Sequence, residues 1–285
     1  MSQQDETWDV LIHELDPSVE EHEPESPVTS ETIARPRVCT EGDLIEKAAC
    51  NFTHSRGASL PSAASARNPH LAGKPFSASA LSVIVHPRLP RVPTTHMNVR
   101  FFHVDDGEGH WHFGGGMDLT PHFLYGEDAV TWHEHARTAC RDHAQYRQFK
   151  QQCDDYFFLP HRNEARGIGG LFFDDLNEPD FASCFRVALQ VCEHFRSAYT
   201  TIFDRRKETQ ANADDEYWML HRRSRYAEFN LIHDRGTKYG LQSGRRVESV
   251  LASMPPRANW VYGQGAETEE QQKLLSCLQN PREWL

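Results

Sequence analysis

Long apolar runs are missing from this sequence of 285 residues, of which 38% are hydrophobic. No segment approaches the roughly 18 apolar residues that a membrane-spanning helix needs, and the first thirty residues are not basic and then apolar, as a signal peptide would be. The sequence therefore predicts a cytoplasmic protein with no membrane span. C-x-x-C pairs are also missing, and the seven cysteines are an odd number, which favours buried free thiols over a disulfide framework.

Motifs for nucleotides and for common zinc sites are missing as well. The two glycine-rich segments, FGGGMD and RGIGG, have neither the G-K-[ST] ending nor the G-x-G-x-x-G pattern of phosphate sites, and no H-E-x-x-H occurs. The glycines predict tight turns, bulges or close approach of a ligand to the backbone. A nucleotide cofactor is not indicated.

Lys and Arg are missing from the first 31 positions, which carry ten of the acids behind the formal net charge of -11. The rest of the chain is nearly neutral, and this argues against a general phosphate-binding surface and against nucleic acid as a partner. Acidic residues, Ser, Thr and Pro dominate positions 1–36, a composition that predicts a disordered tail. Residues 37–285 are predicted to form one domain.

Alternation of apolar and polar residues predicts strands. In THMNVRFF a period of two places Met97 and Val99 on one face and His96, Asn98 and Arg100 on the other. LSVIVHP and HWHFGGGMDL are predicted as neighbouring strands, and GIGGLFFDDL, RYAEFNLI and NWVY as further strands of the sheet. Helical periodicity predicts amphipathic helices over 127–143 and 181–203. The apolar stripe predicted on the second helix consists of Phe181, Cys184, Phe185, Ala188, Cys192, Phe195 and Tyr199. Together these elements predict an α+β fold with a mostly antiparallel sheet.

Three residue types suggest a site. His133 is the only histidine on the apolar stripe of its helix, where a buried imidazole needs a carboxylate or a metal as partner. Several arginines lie beside glycines, turns or strand ends, where they could form surface salt bridges or, as a group, bind a substrate with several carboxylates: Arg100, Arg162, Arg166, Arg235, Arg245 and Arg246. Asp118 and Asp234 are candidate bases or holders of a developing cation, whereas Asp174 and Asp175 are predicted to cap a turn.

Four long blocks carry a resemblance to a known family. SVIVHPRLPRVPTTHMNVRFF (82–102), FGGGMDLTP (113–121), YFFLPHRNEARGIGGLFFDDL (156–176) and RYAEFNLIHDRGTKYGLQSGRRVESVLASMPP (225–256) resemble the oxygen-dependent coproporphyrinogen III oxidases of aerobic haem biosynthesis. The likeness extends in order from about residue 37 to the C-terminus. It implies a single domain with a large antiparallel sheet flanked by helices on both faces, in a homodimer whose interface lies around 226–256.

The activity implied by the resemblance is oxidative decarboxylation of two propionates of coproporphyrinogen III to vinyl groups. The products are protoporphyrinogen IX, carbon dioxide and hydrogen peroxide, and no organic cofactor takes part. Two alternatives stay open at this point. One is a non-catalytic tetrapyrrole-binding protein of the same fold, and the other is a mononuclear metal-dependent oxygenase.

Matching the family motifs to this chain implies roles for individual residues. Substrate binding falls on Ser82, Asn98, Val99, Arg100, Arg166, Gly244, Arg245 and Arg246. Catalysis falls on His96 as proton donor, on Asp118 and Asp234 as carboxylates that contact pyrrole N–H groups, and on Arg100. A divalent metal (Mn, Zn or Fe) is assigned in bacterial members to the positions of His86, His96, His133 and His161.

Two features depart from the family pattern. An acidic, proline-bearing segment stands where family members commonly carry a run of glycines and serines. The loop at 244–246 reads Gly-Arg-Arg where a second small residue is usual, so that Arg245 either adds a contact to a propionate or crowds the loop.

Overall fold

The structure is a computed structural model that describes residues 9–22, 32–60, 69–242 and 246–285. The strands are β1 (Glu20–His22), β2 (Thr32–Thr40), β3 (Ile45–Gly57), β4 (Phe76–Pro87), β5 (Thr94–Val104), β6 (His110–Thr120), β7 (Phe158–Leu159), β8 (Glu164–Ala165) and β9 (Gly169–Leu176). Seven of them pair antiparallel in the order β1-β2-β3-β4-β5-β6-β9, while β7 and β8 form a separate hairpin. The predicted antiparallel sheet is confirmed.

Seven α-helices lie in the described part of the chain: α1 (Gly126–Ala139), α2 (His143–Tyr156), α3 (Phe181–Arg206), α4 (Ala213–Glu228), α5 (Arg235–Gln242), α6 (Val247–Val250) and α7 (Glu269–Gln279). π-Helical turns occupy Asp9–His13 and Phe229–His233, and 3₁₀ turns occupy Pro69–Leu71 and Leu251–Ser253. None of the helices described here has the length and apolar character that crossing a membrane requires.

Helices cover both faces of the sheet, and so the predicted α+β class is confirmed. On one face, Met97 of β5 and Met117 of β6 join Trp132 of α1 and Phe195 of α3 in the main core. On the other face, a smaller cluster joins Ala49, Ile84, Tyr226 and Ala252. Because successive side chains of a strand point to opposite faces, each central strand serves both layers.

Both predicted helices form, but each differs in one respect from its prediction. The stripe on α1 is buried as predicted, but the segment 127–143 is not one helix, because Cys140 is extended and Asp142 begins α2 by accepting a hydrogen bond from the Gln145 amide. On α3 the stripe residues Cys184, Ala188, Cys192, Phe195 and Tyr199 are buried. Phe181 and Phe185 were predicted on this stripe, yet 47% and 44% of their surfaces stay exposed.

Two predicted strands are wrong. RYAEFNLI forms the end of α4 and the π-helical turn, and NWVY has no regular secondary structure. The reason lies upstream, where Asn212 and Asp215 form a reciprocal capping box that starts α4. The helix then continues through a short segment whose alternation alone resembles a strand.

The acidic segment is more ordered than its composition predicted. Leu11, Ile12 and Leu15 are buried in the main core, and Asp16 accepts hydrogen bonds of 2.7 Å from the amides of Leu44 and Ile45. Strand β2 begins at Thr32, before the predicted domain start at residue 37. In the described residues 9–22 and 32–36, the acidic sequence thus contacts the domain, because a short apolar stretch within it reaches the core.

Candidate active site

Strands β5 and β6 place a row of polar side chains on one sheet face. His96 lies opposite Asp118, Asn98 opposite Gly116 and Arg100 opposite Gly114. Ser82 of β4 pairs with Asn98 and shares this face. The side chains of His96 and Arg100 keep 26% and 23% of their exposure, so the row is open to solvent. We call it the polar face.

Val99 does not join the polar face with its side chain. It lies between Asn98 and Arg100 in the strand, so its side chain points to the opposite side and packs against the main core. Only its backbone could contact a substrate on the polar face. The predicted binding role of Val99 is therefore restricted to main-chain atoms.

A buried network links His96, Asp118 and Arg166. Asp118 Oδ1 lies 2.8 Å from His96 Nδ1, and Asp118 Oδ2 accepts a 2.6 Å hydrogen bond from Arg166 Nη2. Arg166 also donates to Asn230 Oδ1 at 2.7 Å. Burial by itself would raise the pKa of Asp118, but the Arg166 charge and His96 outweigh burial and lower it. Asp118 is therefore an ionised carboxylate in a site where only 3% of the residue is exposed.

Aromatic rings hold the Arg166 guanidinium in place. Its Cζ lies 4.2 Å from the ring centroid of Phe157, 4.4 Å from that of Tyr226 and 4.8 Å from that of Phe229. Arginine stays charged at all ordinary pH values, and cation–π contacts with desolvated rings add to its attraction to Asp118. The result is a fixed positive charge behind the carboxylate of Asp118.

A second network lies at the other end of the polar face. Arg100 donates to Asn98 Oδ1 at 2.9 Å and to Asp174 Oδ1, while Arg235 Nη2 donates to Asp174 Oδ2 at 2.7 Å. The prediction that Asp174 caps a turn is wrong. It follows Phe173 of the core in β9, so alternation along the strand puts its carboxylate on the polar face.

Both carboxylate oxygens of Asp234 accept hydrogen bonds from neighbouring protein groups. Its Oδ1 accepts a 2.9 Å hydrogen bond from the Tyr156 hydroxyl, and its Oδ2 accepts one of 2.6 Å from the Thr237 amide in the first turn of α5. Both oxygens are thus engaged at the start of a helix, in the manner of an N-cap. Of the two predicted catalytic carboxylates, only Asp118 contacts His96 and Arg166.

Neighbouring protein atoms leave no space for a side chain at Gly114 or Gly116. A Cβ on Gly114 would lie 2.6–2.7 Å from the Arg100 guanidinium, and a Cβ on Gly116 would lie 2.2 Å from the carbonyl oxygen of Leu171 on β9. The run therefore leaves room for Arg100 and for tight strand pairing. Of the predicted loop, Gly244 and Arg245 lie outside the described residues, and Arg246 is exposed beside Glu248 at 3.2 Å.

The four histidines of the predicted metal set have separate partners. His86 lies 3.0 Å from the Ser253 carbonyl oxygen, His96 contacts Asp118, and His161 contacts Glu228 at 2.9 Å. His133 faces the main core between the Tyr146 hydroxyl and the Ile168 carbonyl, each at 3.0 Å, and burial lowers its pKa to about 3.

A metal that needs these four histidines does not fit the arrangement. Within the described residues, the only group of three or more potential ligands that converge is Asp106, Glu108 and His110, in the turn between β5 and β6. Both ring nitrogens of His133 are already used by protein partners. His133 therefore satisfies the need for a partner that its sequence position predicted, but the partners are a hydroxyl and a carbonyl.

Residues missed by sequence reasoning come from distant parts of the chain. Asn230 from the π-helical turn and Tyr156 from α2 complete the two networks, and no local motif marked them. Asp174 carried a sequence signal, because it follows Phe173 in a strand and alternation places its side chain on the face opposite that of Phe173.

Comparison with known families gives one match. The family model for coproporphyrinogen III oxidase matches residues 2–284, which is essentially the whole chain. The match includes the strands of the polar face, the segment with Arg166 and the end of α4. The resemblance inferred from the four sequence blocks is confirmed, and the chain belongs to the coproporphyrinogen III oxidase family, a family of oxidoreductases in haem biosynthesis.

Proposed function

We propose that the protein uses O₂ to convert two propionates of coproporphyrinogen III into vinyl groups, with protoporphyrinogen IX as the product. Each propionate, CH₂CH₂COOH, reacts with one O₂ to give CH=CH₂, CO₂ and H₂O₂. The observation that carries the proposal is the His96–Asp118–Arg166 network on an open sheet face that also presents Arg100. Family membership supports a role in the oxidation of coproporphyrinogen. The use of O₂ and the identity of the products are our proposal.

Asp118 is the proposed contact for the pyrrole N–H groups. Its lowered pKa keeps it ionised, and Arg166 holds it in a fixed orientation. An anionic carboxylate against the N–H groups raises the electron density of the ring, which then reacts directly with O₂. The resulting pyrrole peroxide takes a hydrogen from the propionate β-carbon, and decarboxylation gives the vinyl group.

His96 and Arg100 have supporting roles in this proposal. His96 is held through Nδ1 by Asp118, which leaves its other ring nitrogen available to donate a proton to the departing peroxide. Arg100 faces the same side of the sheet and binds a propionate carboxylate in bidentate fashion. The proposal uses no organic cofactor, and no step passes through a metal, because the four predicted histidines do not fit a common site.

A homodimer is the second part of the proposal. Large apolar residues stay exposed within the predicted interface region 226–256: Leu231 (51%), Ile232 (50%), Leu241 (44%) and Val247 (52%). Exposed apolar groups at this density are typical of a contact surface between protein chains.

The experiment that tests the activity starts with anaerobic protein and coproporphyrinogen III and then admits oxygen. Porphyrin products are separated by their number of carboxylates, and oxygen uptake is recorded. We expect tricarboxylic and dicarboxylic products from the wild type and a rate about 10²–10⁴-fold lower from Asp118→Asn, the range expected when a positioned polar group is lost. Asp155→Asn, at an exposed residue of α2, is the matched control and keeps the wild-type rate.

The outcomes separate the alternatives. A near-normal rate in Asp118→Asn overturns the role of Asp118, and the absence of any decarboxylated product from the wild type overturns the activity. Binding of the tetrapyrrole without oxygen uptake supports the non-catalytic binding protein instead.

A further inference from the structure

Asp174 connects two arginines from different layers of the molecule. Arg100 projects from β5 in the sheet, and Arg235 begins α5 in the layer that covers the sheet. Each oxygen of the Asp174 carboxylate accepts from one of these guanidinium groups. The Asp174 side chain is only 13% exposed, whereas that of Arg235 is 46% exposed, so the bridge has a buried centre and an accessible edge.

The surroundings fix the position of both guanidinium groups. Gly114 provides the space for Arg100, because a Cβ there would lie 2.6–2.7 Å from its guanidinium atoms. Arg235 Cζ lies 4.7 Å from the Tyr156 ring centroid and 5.5 Å from that of Phe172. The carboxylate is thus one of several contacts that give the two arginines a defined geometry.

The charges within the bridge do not balance. Counted over the described contacts, two guanidinium groups carry two positive charges and Asp174 carries one negative charge, which leaves one positive charge at the accessible edge. One further carboxylate would neutralise it, and the paired N–H groups of arginine suit a planar carboxylate.

We propose that Asp174 is a positioning residue that holds Arg100 and Arg235 together as the receptor for one propionate carboxylate of the substrate. This inference rests on the proposed function and assigns a role to a residue outside its reacting groups. Conversion of the propionate to a vinyl group removes the carboxylate and with it the attraction to the receptor. The reacted group is then released from the bridge, while an unreacted propionate is held.

The expected signature of Asp174→Asn differs from that of losing an arginine. The amide keeps the shape of the side chain but removes its charge, so the net charge of the receptor rises. Only one of the two guanidinium groups keeps an acceptor, because the amide NH₂ donates and cannot accept. Attraction of the anionic substrate is retained and its orientation is lost. We expect kcat to fall at least about tenfold with KM unchanged or lower, since an orientation effect acts on the chemical step.

Asp175→Asn is the matched control, because it makes the same chemical change at the next residue. Asp175 has a φ of 53°, a conformation that asparagine adopts readily, and its carboxylate lies 3.9 Å from His112 of β6. We expect wild-type kcat and KM in this variant. The salt dependence of KM should be steeper in Asp174→Asn than in the wild type, which loss of folded protein would not produce.

Gly114→Ala tests the bridge without changing any charge. Its methyl group occupies the space of the Arg100 guanidinium, and we expect the same fall in kcat. If Asp174→Asn does not fold, this variant decides the question. The inference is overturned if the folded variants keep kcat within about twofold of the wild type, or if the loss of kcat/KM lies wholly in KM. Failure of these variants to differ from an active wild type overturns the bridge alone, whereas a wild type without turnover overturns both proposals.

Discussion

Glu228 gathers an unusual number of donors at the end of α4. It accepts from Arg162 Nε at 2.8 Å, His161 Nε2 at 2.9 Å and Trp260 Nε1 at 2.9 Å. Burial alone would raise the pKa of Glu228, but these hydrogen bonds outweigh burial and lower it to about 2. A carboxylate bound in this way ties the β7–β8 hairpin and the segment after α6 to α4.

The lowered pKa predicts a specific acid sensitivity. In the unfolded chain Glu228 takes up a proton near its ordinary pKa of about 4.3, whereas in the folded protein it stays ionised down to about pH 2. Its contribution to stability is therefore complete above about pH 5 and is lost as the pH falls towards 2. We expect Glu228→Gln to lower the free energy of unfolding at neutral pH and to flatten its decline between about pH 5 and pH 3.

Urea unfolding at several pH values measures this effect. Glu134→Gln, at an exposed residue of α1, is the control and should keep the wild-type slope. Parallel declines for Glu228→Gln and the wild type would contradict the assignment.

At the scale of elements, sequence periodicity predicted the central strands of the sheet correctly. It wrongly predicted a strand in the helical layer that packs on the sheet. Met97 lies in the core and His96 on the polar face, as the alternation in β5 required. The same logic turned RYAEFNLI into a strand, because eight residues cannot distinguish alternation from a helix that is buried almost all round. Capping at Asn212 decides this case, thirteen residues before the segment begins.

The candidate site was predictable to the extent that its residues carry family motifs. His96, Asp118 and Arg166 were named from the sequence and meet in one network. Asn230 was not named, and Asp174 was assigned to a turn, because their contacts join segments that lie far apart in the chain. Pairings of this kind depend on tertiary packing, which local propensity and spacing do not encode.

Besides Leu11, Ile12 and Leu15 in the core, one polar side chain attaches the acidic segment to the domain. Asp16 is 2% exposed and accepts hydrogen bonds from the amides of Leu44 and Ile45. We expect Asp16→Ala to leave the buried Ile45 amide and the partly buried Leu44 amide without this acceptor. The free energy of unfolding should fall by about 2–6 kcal/mol, since an unpaired buried group costs about 1–3 kcal/mol. Glu14→Ala, at an exposed neighbour, should change it by less than about 0.5 kcal/mol.

Denaturant unfolding of both variants tests how firmly the segment is attached. Equal stabilities would mean that residues 11–16 do not contribute to the core. A loss confined to Asp16→Ala supports their assignment to the folded domain.

At the scale of the whole molecule, the net charge of -11 describes two different regions. The first 31 residues carry ten acids and no Lys or Arg, while Arg100 lies on the polar face, where we propose that an anionic substrate binds. Within the described part of the acidic segment, Glu21 contacts Arg37 of β2 at 2.8 Å. An overall acidic protein can therefore still bind a polycarboxylate, because the field at the site depends on nearby fixed charges more than on the distant total.

Two exposed apolar residues in the proposed interface lead to the prediction about assembly. Leu231 and Ile232 project from the π-helical turn with about half of their surfaces exposed. Replacing both by Asp puts two charges into the proposed interface, where a buried unpaired charge is strongly unfavourable. We expect the wild type to sediment at about twice its chain mass of 32.7 kDa and the double variant at the mass of one chain.

Sedimentation over a range of protein concentrations measures this difference. The control is Phe185→Asp, because Phe185 is also 44% exposed but lies on α3, outside 226–256. It should sediment as the wild type does. A monomeric wild type would overturn the homodimer, and a dimeric double variant would move the interface away from the π-helical turn. Because Asn230 and Asp234 flank the two substituted residues, the activity of a folded monomer would further show whether the dimer contact supports the Arg166 network or only adds stability.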